Sequence, residues 1–152
     1  MLNKIRKFTK LSLEEKKLFL EAYILLGLMR ASILTISFKC LTHSLEHYPT
    51  KNEVTPLDDK EIQIAMAVGQ AIKMAAAHTP WESACLVQSL AVHRMLKKRS
   101  IPGIFYLGVM KDKEADDQMK AHSWTQCGEH IITGGGEHED FTILSVFGWG
   151  QK

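Results

Sequence analysis

Apolar residues crowd the first third of the chain without settling on one stripe. Leu18, Phe19, Leu20, Tyr23, Ile24, Leu25, Leu26, Leu28 and Met29 are followed by Ile33, Leu34, Ile36, Phe38 and Leu41. Ser12-Leu13-Glu14-Glu15 has the form of a capping box, with Ser12 as cap and Glu15 reaching back. The pattern predicts one long helix or two from there to about Leu45, broken near Thr35 to Phe38, where β-branched and aromatic residues gather. A helix apolar over more than one stripe must be buried widely, against its own domain or a partner.

His47 to Leu57, with Pro49 and Pro56, is polar and reads as a loop. It divides a helical N-terminal region, residues 1–54, from a core of residues 55–152. Thr55-Pro56-Leu57-Asp58 predicts a helix start with Pro56 at the first helical position. Ile62, Ala65, Met66, Val68, Gly69, Ile72, Met74 and Ala75 carry that helix to about Ala77, and His78-Thr79-Pro80 ends it. A further helix opens at Cys85, continues through Leu86, Leu90 and Val92 to Leu96, and closes on Lys97, Lys98 and Arg99.

Beyond Ser100-Ile101-Pro102-Gly103 the period changes from helical to alternating. Strands are predicted over Ile104 to Val109, Ala121 to Cys127, His130 to Thr133 and Phe141 to Phe147, with a charged connection from Lys111 to Lys120. Gly134-Gly135-Gly136 marks a bend. Helices first and a meander of about four strands afterwards give an α+β class: a helical N-terminal part, then a nucleophile helix packed on an antiparallel sheet.

Composition changes this picture little. The 152 residues, 45% hydrophobic and 24% charged, suit one ordinary globular domain. A formal net charge of +2 gives no case for nucleic acid, although Lys4, Arg6, Lys7 and Lys10 precede any acidic residue and form either a solvated helix entry or a basic docking surface. Three cysteines, Cys40, Cys85 and Cys127, follow no disulfide framework and point to a reducing compartment. No signal peptide is read at the start, and the run Ala22 to Met29, cut by Glu21 and Arg30, falls short of the roughly 20 residues a bilayer span needs. A cytoplasmic protein is expected.

Candidate chemistry centres on Cys85. A thiol in the first turn of a helix meets the positive end of the helix dipole, which favours thiolate. The thiolate is a nucleophile if a base lies nearby. His122, on a strand after that helix, supplies one. This order and these element types are how papain-like folds pair a thiolate with an imidazolium. The plainer readings are an inert core cysteine and a structural histidine. Trp81 and Trp124 flank the two positions and either wall a substrate groove or belong to the core. His122, His130 and His138 are spaced by eight with Cys127 between them, but a turn and the glycine run separate them, and no CxxC or HxxxH pair is present. No metal is expected. The glycine run lacks the GK[ST] of a phosphate loop, and no cofactor is expected.

The residues around both positions form a set. Pro80-Trp81 with Cys85-Leu86, the helix Leu90 to Leu96 with Lys97-Lys98-Arg99, Ile101-Pro102, Leu107-Gly108-Val109 with Lys111, Ala121-His122-Ser123-Trp124 and Phe141-Thr142-Ile143-Leu144 occur in order. With these pieces, over about residues 58 to 148, the chain resembles the transglutaminase-like leader peptidases of lasso-peptide biosynthesis. The Leu-rich front around Glu21 to Arg30 also looks like theirs. The resemblance implies a cysteine protease that removes the leader from a ribosomally made precursor. It thereby frees the core α-amine for a separate ATP-dependent cyclase. It also implies a small separate leader-recognition protein, for which the front helices are a candidate docking surface.

Carried onto this chain, Cys85 is the nucleophile and His122 the general base and acid. The backbone N–H of Cys85 would donate to the oxyanion. Several relatives place an aspartate soon after the strand that follows the histidine, whereas this chain reads Thr133-Gly134-Gly135-Gly136 there. The third member is left unassigned: Glu137 is the first candidate, ahead of Glu139 and Asp140, and a polar group or main-chain carbonyl is the alternative. Two other functions stay open, a transglutaminase-like acyl transferase and a non-catalytic binding or scaffold module.

Overall fold

The computed structural model describes residues 2–48, 54–114, 117–136 and 138–150. The elements in order are α1 (Leu2–Thr9), α2 (Leu13–Thr35), α3 (Phe38–Leu41), β1 (Glu46–Tyr48), α4 (Asp59–Ala76), α5 (Cys85–Lys98), β2 (Gly103–Lys111), β3 (Met119–Cys127), β4 (His130–Thr133) and β5 (Thr142–Trp149). The expected α+β class is what the chain adopts. The four predicted strands are present as β2 to β5, but the sheet order β1-β5-β2-β3-β4, antiparallel throughout, corrects the expected meander: only β2, β3 and β4 follow one another, and β5 returns to pair with the other edge of β2.

The start and end of α2 follow from local chemistry. Ser12 accepts from the Glu15 N–H, and the Ser12 N–H donates to the Glu15 carboxylate at 2.7 Å, closing the capping box. The helix stops where Ile36 turns extended, and Ser37 caps the short α3. Two expectations need correction. The segment read as loop from His47 contains a strand, because Glu46, His47 and Tyr48 pair with Gly148, Phe147 and Val146 at the sheet edge. Helix α4 begins at Asp59 rather than at Pro56: the Asp58 carboxylate caps the Glu61 N–H at 2.8 Å, and Glu61 returns the bond to the Asp58 N–H. That reciprocal cap satisfies first-turn donors that a proline start would leave open.

The helices cover one face of the sheet. Ala22, Leu26 and Met29 of α2, Val68 and Ile72 of α4, and Leu90, Val92, Met95 and Leu96 of α5 share one cluster with Phe105, Cys127, Phe147 and Trp149 from the strands. On the other face Ile104, Tyr106, Trp124, Phe141 and Val146 form a smaller cluster. The alternation of side chains along β2, β3 and β5 divides the strand residues between the two clusters.

Helix α2 is 23 residues long with a mean hydropathy of 1.6 over its most apolar stretch, enough by length and composition to cross a membrane. Here Ala22 and Leu26 are fully buried, while Leu20, Ile24 and Leu28 remain more than half exposed. Glu21 and Arg30, read from the sequence as interruptions, both sit within the helix and both make ion pairs with the region around α5.

Candidate active site

Cys85 is the first residue of α5, and the residue capping that helix is Ala84, whose side chain makes no capping hydrogen bond. The first-turn N–H groups of the helix that Cys85 opens have no side-chain cap from Ala84 and are available to an anion placed at the helix start. The loop before Cys85 is well tied. Thr79 Oγ1 donates to the Trp81 carbonyl at 3.1 Å and lies 2.8 Å from Ser83 Oγ, and Gln88 Nε2 donates to the Ser83 carbonyl at 2.8 Å.

Helix α2 holds this loop from outside. The Trp81 ring packs edge-on against Tyr23 with centroids 5.2 Å apart. A Cβ on Gly27 would lie 3.1 Å from the Trp81 ring, so the indole occupies the place of the missing side chain. Arg30 pairs with Glu82 at 3.5 Å. Tyr23, Gly27 and Arg30 fall at i, i+4 and i+7, one stripe of α2. Trp81 thus packs beside the helical layer, and its Nε1 is buried without a hydrogen-bond partner among the described residues.

His122 lies in β3 opposite Gly108 of β2. Its Nε2 is 2.7 Å from the carbonyl oxygen of Gly134. A carbonyl only accepts, so Nε2 carries the proton and Nδ1 is left as the basic nitrogen. The ring also packs on Trp124 at 5.8 Å and on Phe141 at 5.0 Å. Gly134 can approach so closely because its φ is +74° and it has no Cβ; an added one would run into the Ser123 carbonyl.

The neighbouring Ser123 faces the other way. Its Oγ donates to Ser89 Oγ at 2.7 Å in a buried bond between β3 and α5. Further along, the ring of His93 in α5 packs on Trp149 at 4.9 Å, and Trp149 pairs with Gly103 at the end of β2 opposite Cys127. Helix α5 therefore runs parallel to β3. Cys85 lies one helical turn before Ser89, and His122 directly precedes Ser123, so the Ser89–Ser123 bond joins the two elements close in sequence to both residues. His122 and Ser123 point to opposite faces of β3, and the ladder of β4 on β3 runs from Thr125 to Cys127.

The remaining candidates separate clearly. Trp124 is 3% exposed and lies in the smaller core cluster, with His138 at 5.7 Å across its ring. His138 Nδ1 lies 2.8 Å from the Gly135 carbonyl oxygen, and His130 is exposed at the far end of β4. Among the described residues no group of three His, Cys, Asp or Glu could hold a metal ion. Glu137 lies outside the described residues. Cys127 is fully buried, and burial pushes its thiol up to about 12.

Two features were not assigned from the sequence. A main-chain carbonyl was one alternative for orienting His122, but that Gly134 supplies it has no side-chain signal, since any residue carries a carbonyl and only the bend at the glycine run hinted at the position. The Ser89–Ser123 bond joins residues 34 apart, and neither serine stands out in its segment.

A family model described as the transglutaminase-like superfamily matches residues 28–146, most of the chain. Comparison with curated proteins and with solved structures finds no match. The match supports an enzyme of the cysteine-peptidase or acyltransferase type.

Proposed function

The chain belongs to the transglutaminase-like superfamily, and from that premise we propose that it is a cysteine protease that removes the leader from a ribosomally made lasso-peptide precursor. The observation that carries the proposal is Cys85 at the uncapped start of α5, in a chain whose strand histidine, His122, has Nε2 tied to a main-chain carbonyl. The resemblance of the sequence stretches to lasso-peptide leader peptidases suggests the substrate.

In this reading Nδ1 of His122 takes the Cys85 proton, and the thiolate attacks the carbonyl carbon of the last leader residue. The oxyanion accepts from the Cys85 N–H at the helix start. His122 then gives its proton to the departing α-amine of the core peptide, the C–N bond breaks, and a thioester remains. Water, deprotonated by His122, hydrolyses the thioester and restores the thiol. The Gly134 carbonyl fixes the ring and its tautomer in the way an acid would, but contributes only a dipole to the imidazolium. Trp81 would wall the leader side of the cleft through its place beside Cys85.

The reading assigns the leader to a small separate recognition protein, the freed amine to an ATP-dependent cyclase, and the reaction to the cytoplasm. It is tested by incubating precursor, recognition protein and this chain, with products followed by mass spectrometry. Leader release that is lost in Cys85→Ala and in His122→Ala, both still folded, is the expected result. Release by Cys85→Ala would end the proposal, and a cross-linked or amidated product would move the activity to acyl transfer.

A further inference from the structure

Helix α1 stands apart from the core with no buried residue, attached through the edge-on pair of Phe8 and Phe19 at 5.2 Å. Between α1 and the last turns of α4 runs an open groove of about 880 Å³, within the range of sites that take a specific ligand. Its apolar surface comes from Ile5, Phe8, Leu11, Phe19 and Met74. Lys4, Lys7, Lys10 and Lys73 line it as well, all exposed, and no Asp or Glu does. None of these lysines makes an ion pair among the described residues. Glu15, which lines a small cleft sharing Leu11, Phe19, Gln70 and Met74 with the groove, is engaged at 2.7 Å with the Ser12 N–H.

We propose that this groove binds an amphipathic peptide segment of another protein, with apolar side chains on one face and Asp or Glu along its flanks. An apolar trough takes the buried face of a helix, and four unneutralised ammonium groups along it select acidic flanks and reject basic ones. The concave shape favours a peptide over a flat lipid surface. No residue of α5 or β3 lines the groove, and peptide binding is read without turnover, so the proposal stands or falls independently of the cysteine chemistry.

The test uses the full chain carrying Cys85→Ala and a fluorescein-labelled 16-residue peptide of Leu and Glu at helical spacing, with a Leu and Lys peptide as control. Fluorescence anisotropy is expected to show saturable binding of the Glu peptide only. The affinity should weaken about tenfold in Lys4→Glu/Lys73→Glu, and weaken again between low and physiological salt. Circular dichroism verifies that the variant, changed at two exposed positions, stays folded, and Lys7→Glu serves as a second variant. Equal binding of the Lys peptide, or binding insensitive to both charge reversals, would overturn the proposal. So would association with phosphatidylglycerol vesicles in place of the peptide, or a dimer by sedimentation that Lys4→Glu/Lys73→Glu dissociates while the peptide fails to bind.

Discussion

The Arg99 guanidinium, at the end of α5, forks onto the Glu21 carboxylate of α2 with N–O distances of 2.7 and 3.0 Å, and the same group donates to the Met95 carbonyl at 2.9 Å. With Arg30 and Glu82 paired near the start of α5, α2 lies antiparallel to α5 and grips both of its ends. A fork of this kind is more specific than a single surface pair. Glu21→Gln is expected to cost about 1–2 kcal/mol in urea unfolding at neutral pH. The hydrogen bonds from Arg99, outweighing burial, hold the Glu21 carboxyl below its ordinary 4.5. A lowered folded value means that this stabilisation is complete above 4.5 and fades as pH falls through the folded value. The difference between wild type and Glu21→Gln should therefore shrink on acidification; a difference independent of pH would contradict it.

Trp81 fills the space where Gly27 has no side chain. Gly27→Leu should push the indole, and with it the loop to Cys85, away from α2. The expected outcome is a fall of about tenfold or more in the leader release proposed for this chain. Unchanged release in a folded Gly27→Leu variant would mean that the hydrogen bonds of Thr79, Ser83 and Gln88 hold the loop unaided.

Thiol reactivity separates the three cysteines. In native protein Cys127 should resist iodoacetamide, being fully buried with its thiol raised to about 12. Cys85 should alkylate faster than the exposed Cys40, and His122→Ala should slow Cys85 about tenfold if the imidazole takes its proton. Peptide mapping by mass spectrometry reads all three rates in one experiment. A Cys85 no faster than Cys40 would favour a binding module over an enzyme.

Gly134 is constrained twice, by a φ of +74° and by the Ser123 carbonyl at the place of a Cβ. Gly134→Ala is expected to lose about 1–3 kcal/mol and to shift the acceptor of His122 Nε2. Cleavage should fall further than stability alone accounts for, measured at a temperature where the variant is fully folded.

His93 is 2% exposed, and burial, assisted by Lys97 and Arg94, pulls its ring down from 6.5 to about 4. The unfolded chain therefore binds a proton between those values that the folded chain refuses. Stability is whole above pH 6.5 and declines toward pH 4, by up to about 3 kcal/mol. Thermal melts across that window should show the decline in wild type and a flatter profile in His93→Phe.

The sequence by itself determined what local chemistry encodes. Capping residues set the start of α2, helical and alternating periods distinguished α5 from β2 to β5, and the residue types around Cys85 and His122 singled out the candidate site. Those signals act over a few residues, where backbone donors, acceptors and side-chain faces fix the outcome. Other features were decided only by the tertiary structure. Glu46 to Tyr48 became a strand because the edge of β5 was there to pair with it. Glu21 and Arg30, which in the sequence merely interrupt an apolar run, became the two ends of the grip on α5. The partner of His122 turned out to be a main-chain carbonyl, which the residue letters do not encode. Each of these depends on groups brought together across long stretches of chain, and sequence spacing carries no record of such distances.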